Sequence, residues 1–134
     1  TETPQEFQDL LNFVDHYKFE RLGAFQYSRE EGTYAAELKP QVPKDIMAER
    51  YKKIMELQRG ISKANNKGLV GATLKVLTES FDPGRGLYIG RSERDAPLVD
   101  GTVEFTGKAE IGEFAKVKIL EAKHYDLVGK TFCP

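Results

Sequence analysis

What is scarce sets the first limits. The 134-residue chain has no tryptophan, one cysteine, two histidines and two methionines. A lone Cys133 excludes an intrachain disulfide and leaves no thiolate set from which this chain could build a zinc or iron–sulfur site. His16 and His124 fall in different predicted units, which argues against a two-histidine metal site; each reads as an ordinary surface histidine. Long apolar runs are missing as well. Stretches such as Gly68-Leu69-Val70-Gly71-Ala72 fall far short of the ~20 residues that span a bilayer, so no membrane role is expected. Nor does charge of one sign dominate: 20 Lys+Arg against 21 Asp+Glu give a net charge of -1. The overall field that draws a protein onto nucleic acid or a membrane surface is therefore absent. Thr1-Glu2-Thr3-Pro4 has neither signal-peptide character nor an initiating Met, and the chain reads as a cytoplasmic segment of something longer.

Among what is present, Thr3-Pro4-Gln5-Glu6 combines a capping residue, Pro at the first helical position and Glu at the third, which predicts a helix start. Phe7, Leu10, Leu11, Val14 and Tyr17 then follow at helical spacing and lay down one apolar stripe. Leu22-Gly23-Ala24-Phe25-Gln26-Tyr27 is too short for a helix and reads as a buried strand, followed by the polar loop Ser28–Thr33. A helix, a strand and a loop make half of a repeated β/α unit, which needs parallel neighbours for its strand. Two prolines mark Leu38 to Pro43 as a connector. Pro43 opens a long helical pattern with Met47, Tyr51, Ile54, Leu57 or Gln58, and Ile61 on one face, stopped by Asn65-Asn66-Lys67-Gly68. Gly60 weakens that helix without ending it.

Beyond residue 66 the period changes. Thr73 to Glu79 alternates, and Leu87 to Gly90, Thr102 to Phe105, Phe114 to Leu120 and Leu127 to Phe132 are further strand candidates, separated by Gly and Asp/Pro turns. About five short antiparallel strands in so few residues predict a small barrel of oligonucleotide-binding-like type over 67–134, with residues 1–66 as a separate unit. Residues 66–134 carry 10 basic and 10 acidic side chains. A barrel that reads nucleic acid usually shows a basic excess, so only a local patch on one face leaves room for that role.

Motifs with chemistry are few. Glu30-Glu31 is a pair of neighbouring carboxylates, but adjacent loop side chains usually diverge. Gly84-Arg85-Gly86 opens no helix and lacks a following Lys-Ser/Thr, so it is a turn rather than a phosphate loop. Ser28 and Ser92 have no His/Asp relay. Two loops remain as candidates: Tyr27–Thr33, which follows a predicted strand as active-site loops do in β/α barrels, and Arg91–Pro97, which mixes both charge signs between two strands.

The strings Phe19-Glu20-Arg21-Leu22-Gly23-Ala24-Phe25-Gln26-Tyr27-Ser28-Arg29-Glu30-Glu31-Gly32-Thr33-Tyr34-Ala35-Ala36 and Gln41-Val42-Pro43 resemble the end of the catalytic barrel in radical S-adenosylmethionine methylthiotransferases. Residues 67 to about 130 are similar to their C-terminal TRAM barrel. The run Gly90-Arg91-Ser92-Glu93-Arg94-Asp95-Ala96-Pro97-Leu98-Val99-Asp100-Gly101 resembles the branch that methylthiolates an aspartate of a small-subunit ribosomal protein, rather than the branch that acts on tRNA. The resemblance implies an α+β chain in which terminal β/α elements of a TIM-like barrel precede a five-stranded antiparallel OB-like barrel. It implies a parent enzyme that uses two [4Fe–4S] clusters and S-adenosylmethionine. The cysteine motifs for both clusters are absent, so no cofactor and no catalytic residue is expected here. Phe25, Tyr27, Ser28, Glu30, Gly32 and Thr33 are implied at the active-site edge, and Arg91, Ser92, Glu93, Arg94, Asp95 and Asp100 at the substrate-docking surface. The implied partner is a basic ribosomal protein, which the acidic groups would suit; the alternative is an RNA-binding module of a tRNA-modifying relative.

Overall fold

Thr3 caps the first helix. Its hydroxyl accepts from the Glu6 amide at 3.2 Å while the Glu6 carboxylate accepts from the Thr3 amide at 2.7 Å, the reciprocal arrangement expected from the sequence. Helix α1 (Pro4–Tyr17) ends at Lys18, whose backbone turns left-handed. A second helix of four residues, α2 (Tyr34–Glu37), is capped by Thr33. The long helix α3 (Lys44–Lys67) runs through Gly60 and stops at the predicted place. A computed structural model describes residues 1–96 and 100–132 and divides the chain into two compact units, Thr1–Ile61 and Ser62–Pro134.

In the first unit, Val14, Ile54 and Ile61 form a small core joined by Leu11, Phe19, Leu22 and Met55. Only part of the α1 stripe is buried: Phe7 and Val14 are inside, whereas Tyr17 is 60% exposed. Gln58 is also buried and donates to the Phe19 carbonyl at 2.8 Å. The predicted strand Leu22–Tyr27 forms no ladder, and this corrects the sequence reading. Its apolar run was selected by composition, but a strand exists only by pairing, and no described segment of the first unit offers an edge to pair with.

The second unit is a closed barrel in the order β1-β2-β3-β5-β4, built from β1 (Thr73–Asp82), β2 (Leu87–Ser92), β3 (Val103–Thr106), β4 (Phe114–Ala122) and β5 (Leu127–Thr131). Four of the five pairings are antiparallel, but β3 and β5 run parallel, so the all-antiparallel expectation is also corrected. Closure demands it: the fifth strand must seal the gap between β3 and β4, and lying antiparallel to β4 sets its direction. Val76, Val103, Phe105, Val117, Ile119 and Leu127 fill the interior, each contributing about 1.5–3 kcal/mol by leaving water. Gly90 and Gly129 also face inward, and a Cβ at either would run into a neighbouring backbone carbonyl, of Leu77 and Lys118 respectively. Bulges at Thr78/Ser80 and Ile119/Glu121 bend β1 and β4 around this narrow core.

Short polar devices fasten the barrel. Asp82 accepts from the amides of Gly84 (2.9 Å) and Arg85 (3.1 Å), and Gly86 closes the turn with φ +67. Asn66, fully buried, donates to the carbonyls of Lys123 and His124, both at 3.2 Å, and so ties the last turn of α3 to the β4–β5 connection. Among the described residues no helix is long and apolar enough to cross a membrane.

Candidate functional site

The first candidate segment hangs between α1 and α2. Phe25 is 98% exposed and Tyr27 is also exposed. The Ser28 hydroxyl donates to Glu30 Oε1 at 3.0 Å, which uses that carboxylate locally. The Glu30 carbonyl accepts from the Thr33 hydroxyl at 2.8 Å, Gly32 supplies the positive φ of +80, and Thr33 caps α2. These four residues therefore build a turn. Behind Phe25 and Tyr27 lies an open cavity of about 330 Å³, walled by Phe7, Leu10, Met47 and Ile54 and edged by Arg50. Arg50 is held there by the Glu2 carboxylate at 2.7 Å and lies 5.4 Å from the centre of the Phe7 ring. The surroundings are apolar: they suit packing, and no described nucleophile is paired with a base there.

The second candidate follows β2. Arg91 donates through Nε to Glu79 Oε1 at 2.7 Å across the β1–β2 pair. Ser92 and Asp95 are buried, and the Ser92 hydroxyl donates to Asp95 Oδ2 at 2.7 Å. The same hydroxyl accepts from the Arg94 amide, and the Asp95 amide donates to the Ser92 carbonyl. Asp100 Oδ2 accepts from the Ala96 amide at 2.7 Å. Ser92, Asp95 and Asp100 thus shape the loop from within, while Glu93 is exposed at its tip. Pro97, Leu98 and Val99 lie outside the described residues.

Two charge arrangements were invisible to residue counting. On one side of the barrel Glu104 receives Arg85 through two parallel hydrogen bonds of 2.9 and 2.8 Å, with Lys123 Nζ at 3.3 Å. Hydrogen bonding from Arg85, then from Lys123, holds the Glu104 carboxyl below the usual range against the opposing effect of burial. On the β1–β4–β5 side the pattern reverses. Lys75 stands opposite Lys116, and Lys118 opposite Lys130. None of these four has a carboxylate partner among the described residues. The signal was present as Lys-Val-Lys at 116–118 and Leu-Lys-Val at 74–76, but only the register brings the lysines together.

Iron–sulfur clusters do not fit the residues present: such clusters are held by several thiolates, and the chain has one cysteine, Cys133, outside the described residues. Among the described residues no group of three His, Cys, Asp or Glu is placed to hold a metal ion.

Comparison with known proteins fits this architecture. Residues 70–131 match the TRAM domain family. The chain is 48% identical over 132 residues to a protein of Desulforamulus reducens named ribosomal protein uS12 methylthiotransferase RimO, covering 96% of this chain and 30% of that protein. Proteins of the same name from Heliobacterium modesticaldum (49% identity, 97% of this chain, 28% of the relative) and Roseiflexus sp. (46%, 96% and 28%) are similar. The chain thus spans about 30% of the length of the curated relatives it matches. Nearly the whole chain is thus similar to a part of the RimO-type methylthiotransferases, and residues 70–131 are similar to a TRAM domain.

Proposed function

We propose that this chain is the substrate-docking part of an enzyme that transfers a methylthio group to an aspartate of ribosomal protein uS12 in the cytoplasm. The observation that carries this reading is the identity of 48% across 96% of the chain to a relative bearing that name. The parent enzyme's chemistry, with S-adenosylmethionine and two [4Fe–4S] clusters, belongs to residues beyond these. Within this chain the barrel would present Arg91 and Glu93 on the rim of the β2–β3 loop, which Ser92 and Asp95 brace from inside. The apolar cavity beside Phe25 and Tyr27 would pack against the remainder of the catalytic barrel, giving the 22–27 segment the parallel neighbours it lacks.

The test is genetic and chemical. Disrupting the gene should remove the methylthio group from the uS12 aspartate, read as the mass of the corresponding peptide, and the intact gene should restore it. Unmodified uS12 in cells with the intact gene, or loss of a tRNA methylthio group with uS12 modification unchanged, would transfer the assignment to the tRNA-acting branch or away from both.

A further inference from the structure

Helix α1 carries more apolar surface than its own core uses. Val14 and Leu11 join the small core with Ile54 and Ile61, and Phe7 is buried beside Arg50. Leu10, Phe13 and Tyr17, three and four residues apart, form a second stripe along the helix, and they are 39%, 50% and 60% exposed. A continuous apolar stripe on one helix is a patch, unlike apolar residues scattered singly over a surface. Its rings are already ordered. Those of Phe13 and Tyr17 are 4.6 Å apart between centres, and Phe19, half-buried against the core, lies 5.7 Å from Phe13 and 6.1 Å from Tyr17. Rings held in this way lose little side-chain freedom when a partner lies on them. Phe13, Tyr17 and Phe19 stand outside the lining of the cavity beside Phe25.

The charge along the stripe has one sign. Helix α1 contains Glu6, Asp9 and Asp15 and no lysine or arginine. Glu6 stands four residues before Leu10, and Asp9 four before Phe13, so both border the stripe. Neither has an ion-pair partner among the described residues. Glu6 accepts from the Thr3 amide at 2.7 Å and Asp9 from the Gln5 side chain at 2.8 Å, contacts that fix the carboxylates without neutralising them. Asp15, on the opposite side of the helix, pairs with Lys18 at 3.4 Å. A second copy of this face would bring the same carboxylates against them, and a nucleic acid or an anionic membrane would add further negative charge. A basic protein segment gains from both. Apolar residues at i, i+3 and i+7 on a partner helix match the stripe, and arginines beside them reach Glu6 and Asp9 and stack on the open ring faces of Phe13 and Tyr17.

We propose that Leu10, Phe13 and Tyr17, bordered by Glu6 and Asp9, form a docking face for a basic amphipathic helix of a partner protein. This face lies in the first unit and shares no residue with the loop at Arg91 and Glu93, so it adds a second protein contact to the function proposed above.

The test uses the full 134-residue chain and a fluorescein-labelled synthetic peptide of about 18 residues, five turns of helix, with leucines at i, i+3 and i+7 and arginines beside them. Fluorescence anisotropy should show saturable binding that weakens several-fold from about 50 to about 500 mM salt. The same peptide with glutamate in place of every arginine should not bind. Phe13→Ala should weaken binding at least tenfold, and Asp9→Asn, which keeps the acceptor for Gln5, about threefold. Ile111→Ala, an equally exposed apolar side chain of the barrel unit, should change nothing. Thermal melting checks that each variant folds, and if Phe13→Ala does not, Tyr17→Ala carries the same expectation. No binding below about 1 mM, equal binding of the glutamate peptide, or unchanged binding in the ring variants would overturn the proposal. Sedimentation of the free chain as a dimer that Phe13→Ala dissociates would overturn it in favour of a second copy. Binding to this chain but not to the parent-length protein would overturn it in favour of the parent's own residues.

Discussion

The Ser92 hydroxyl and the Asp95 carboxylate meet at 2.7 Å inside the turn that follows β2, both side chains buried. This contact makes the loop a braced structure and separates its internal supports from the groups it shows to solvent. Asp95→Ala leaves the buried Ser92 hydroxyl without its acceptor and is expected to cost about 1–3 kcal/mol. In a unit of this size that is a fall in Tm of at least about 4 °C. Asp95→Asn, which keeps an acceptor oxygen, should recover most of it. Glu93→Ala, at the exposed tip, should leave Tm unchanged.

Buried Asn66 secures two carbonyls, those of Lys123 and His124. Asn66→Ala strands both and should destabilise the barrel by about 1–3 kcal/mol, measured by urea denaturation of the chain. Asn66→Asp presents acceptors to acceptors and should be at least as costly.

Gly129 faces the barrel interior on β5, against the Lys118 backbone and the Val117 side chain. A methyl group there has no room without moving β4. Gly129→Ala should cost about 1–3 kcal/mol through overpacking, while Gly112→Ala, where space is open but φ is +89, should show a smaller loss from backbone strain. Equal effects at the two positions would mean that the interior is looser than described.

Glu104 titrates below its ordinary value of 4.5 because Arg85 and Lys123 donate to its charged form. A folded-state value below the unfolded one adds stability that is fully present above about 4.5 and lost as pH falls through the folded value. The Tm advantage of the wild type over Arg85→Ala should therefore be greatest near neutrality and shrink as pH falls below about 4.5. A constant difference across that window would contradict the assignment.

Much of this was legible from residue order. The Thr3 and Glu6 cap, the stop after Lys67 and all five strands follow from local patterns, since capping and period-2 alternation act over a few residues. Three features required long-range pairing. The parallel β3–β5 contact joins residues such as Val103 and Leu127, whose side-chain alternation is the same in either direction. Leu22–Tyr27 has strand composition but no partner edge. The four lysines cancel against distant carboxylates in any sum over the chain, and only the register Lys75–Lys116 and Lys118–Lys130 separates them. The helix α2 was missed for another reason: four residues are too short to show a period.

Whether the barrel docks uS12, as proposed, is measured by titrating purified uS12 into the chain by calorimetry. Saturable binding is expected, weakening at least fivefold in an Arg91→Ala, Glu93→Ala double variant of unchanged Tm. No measurable heat with uS12, or identical affinity in the double variant, would contradict it.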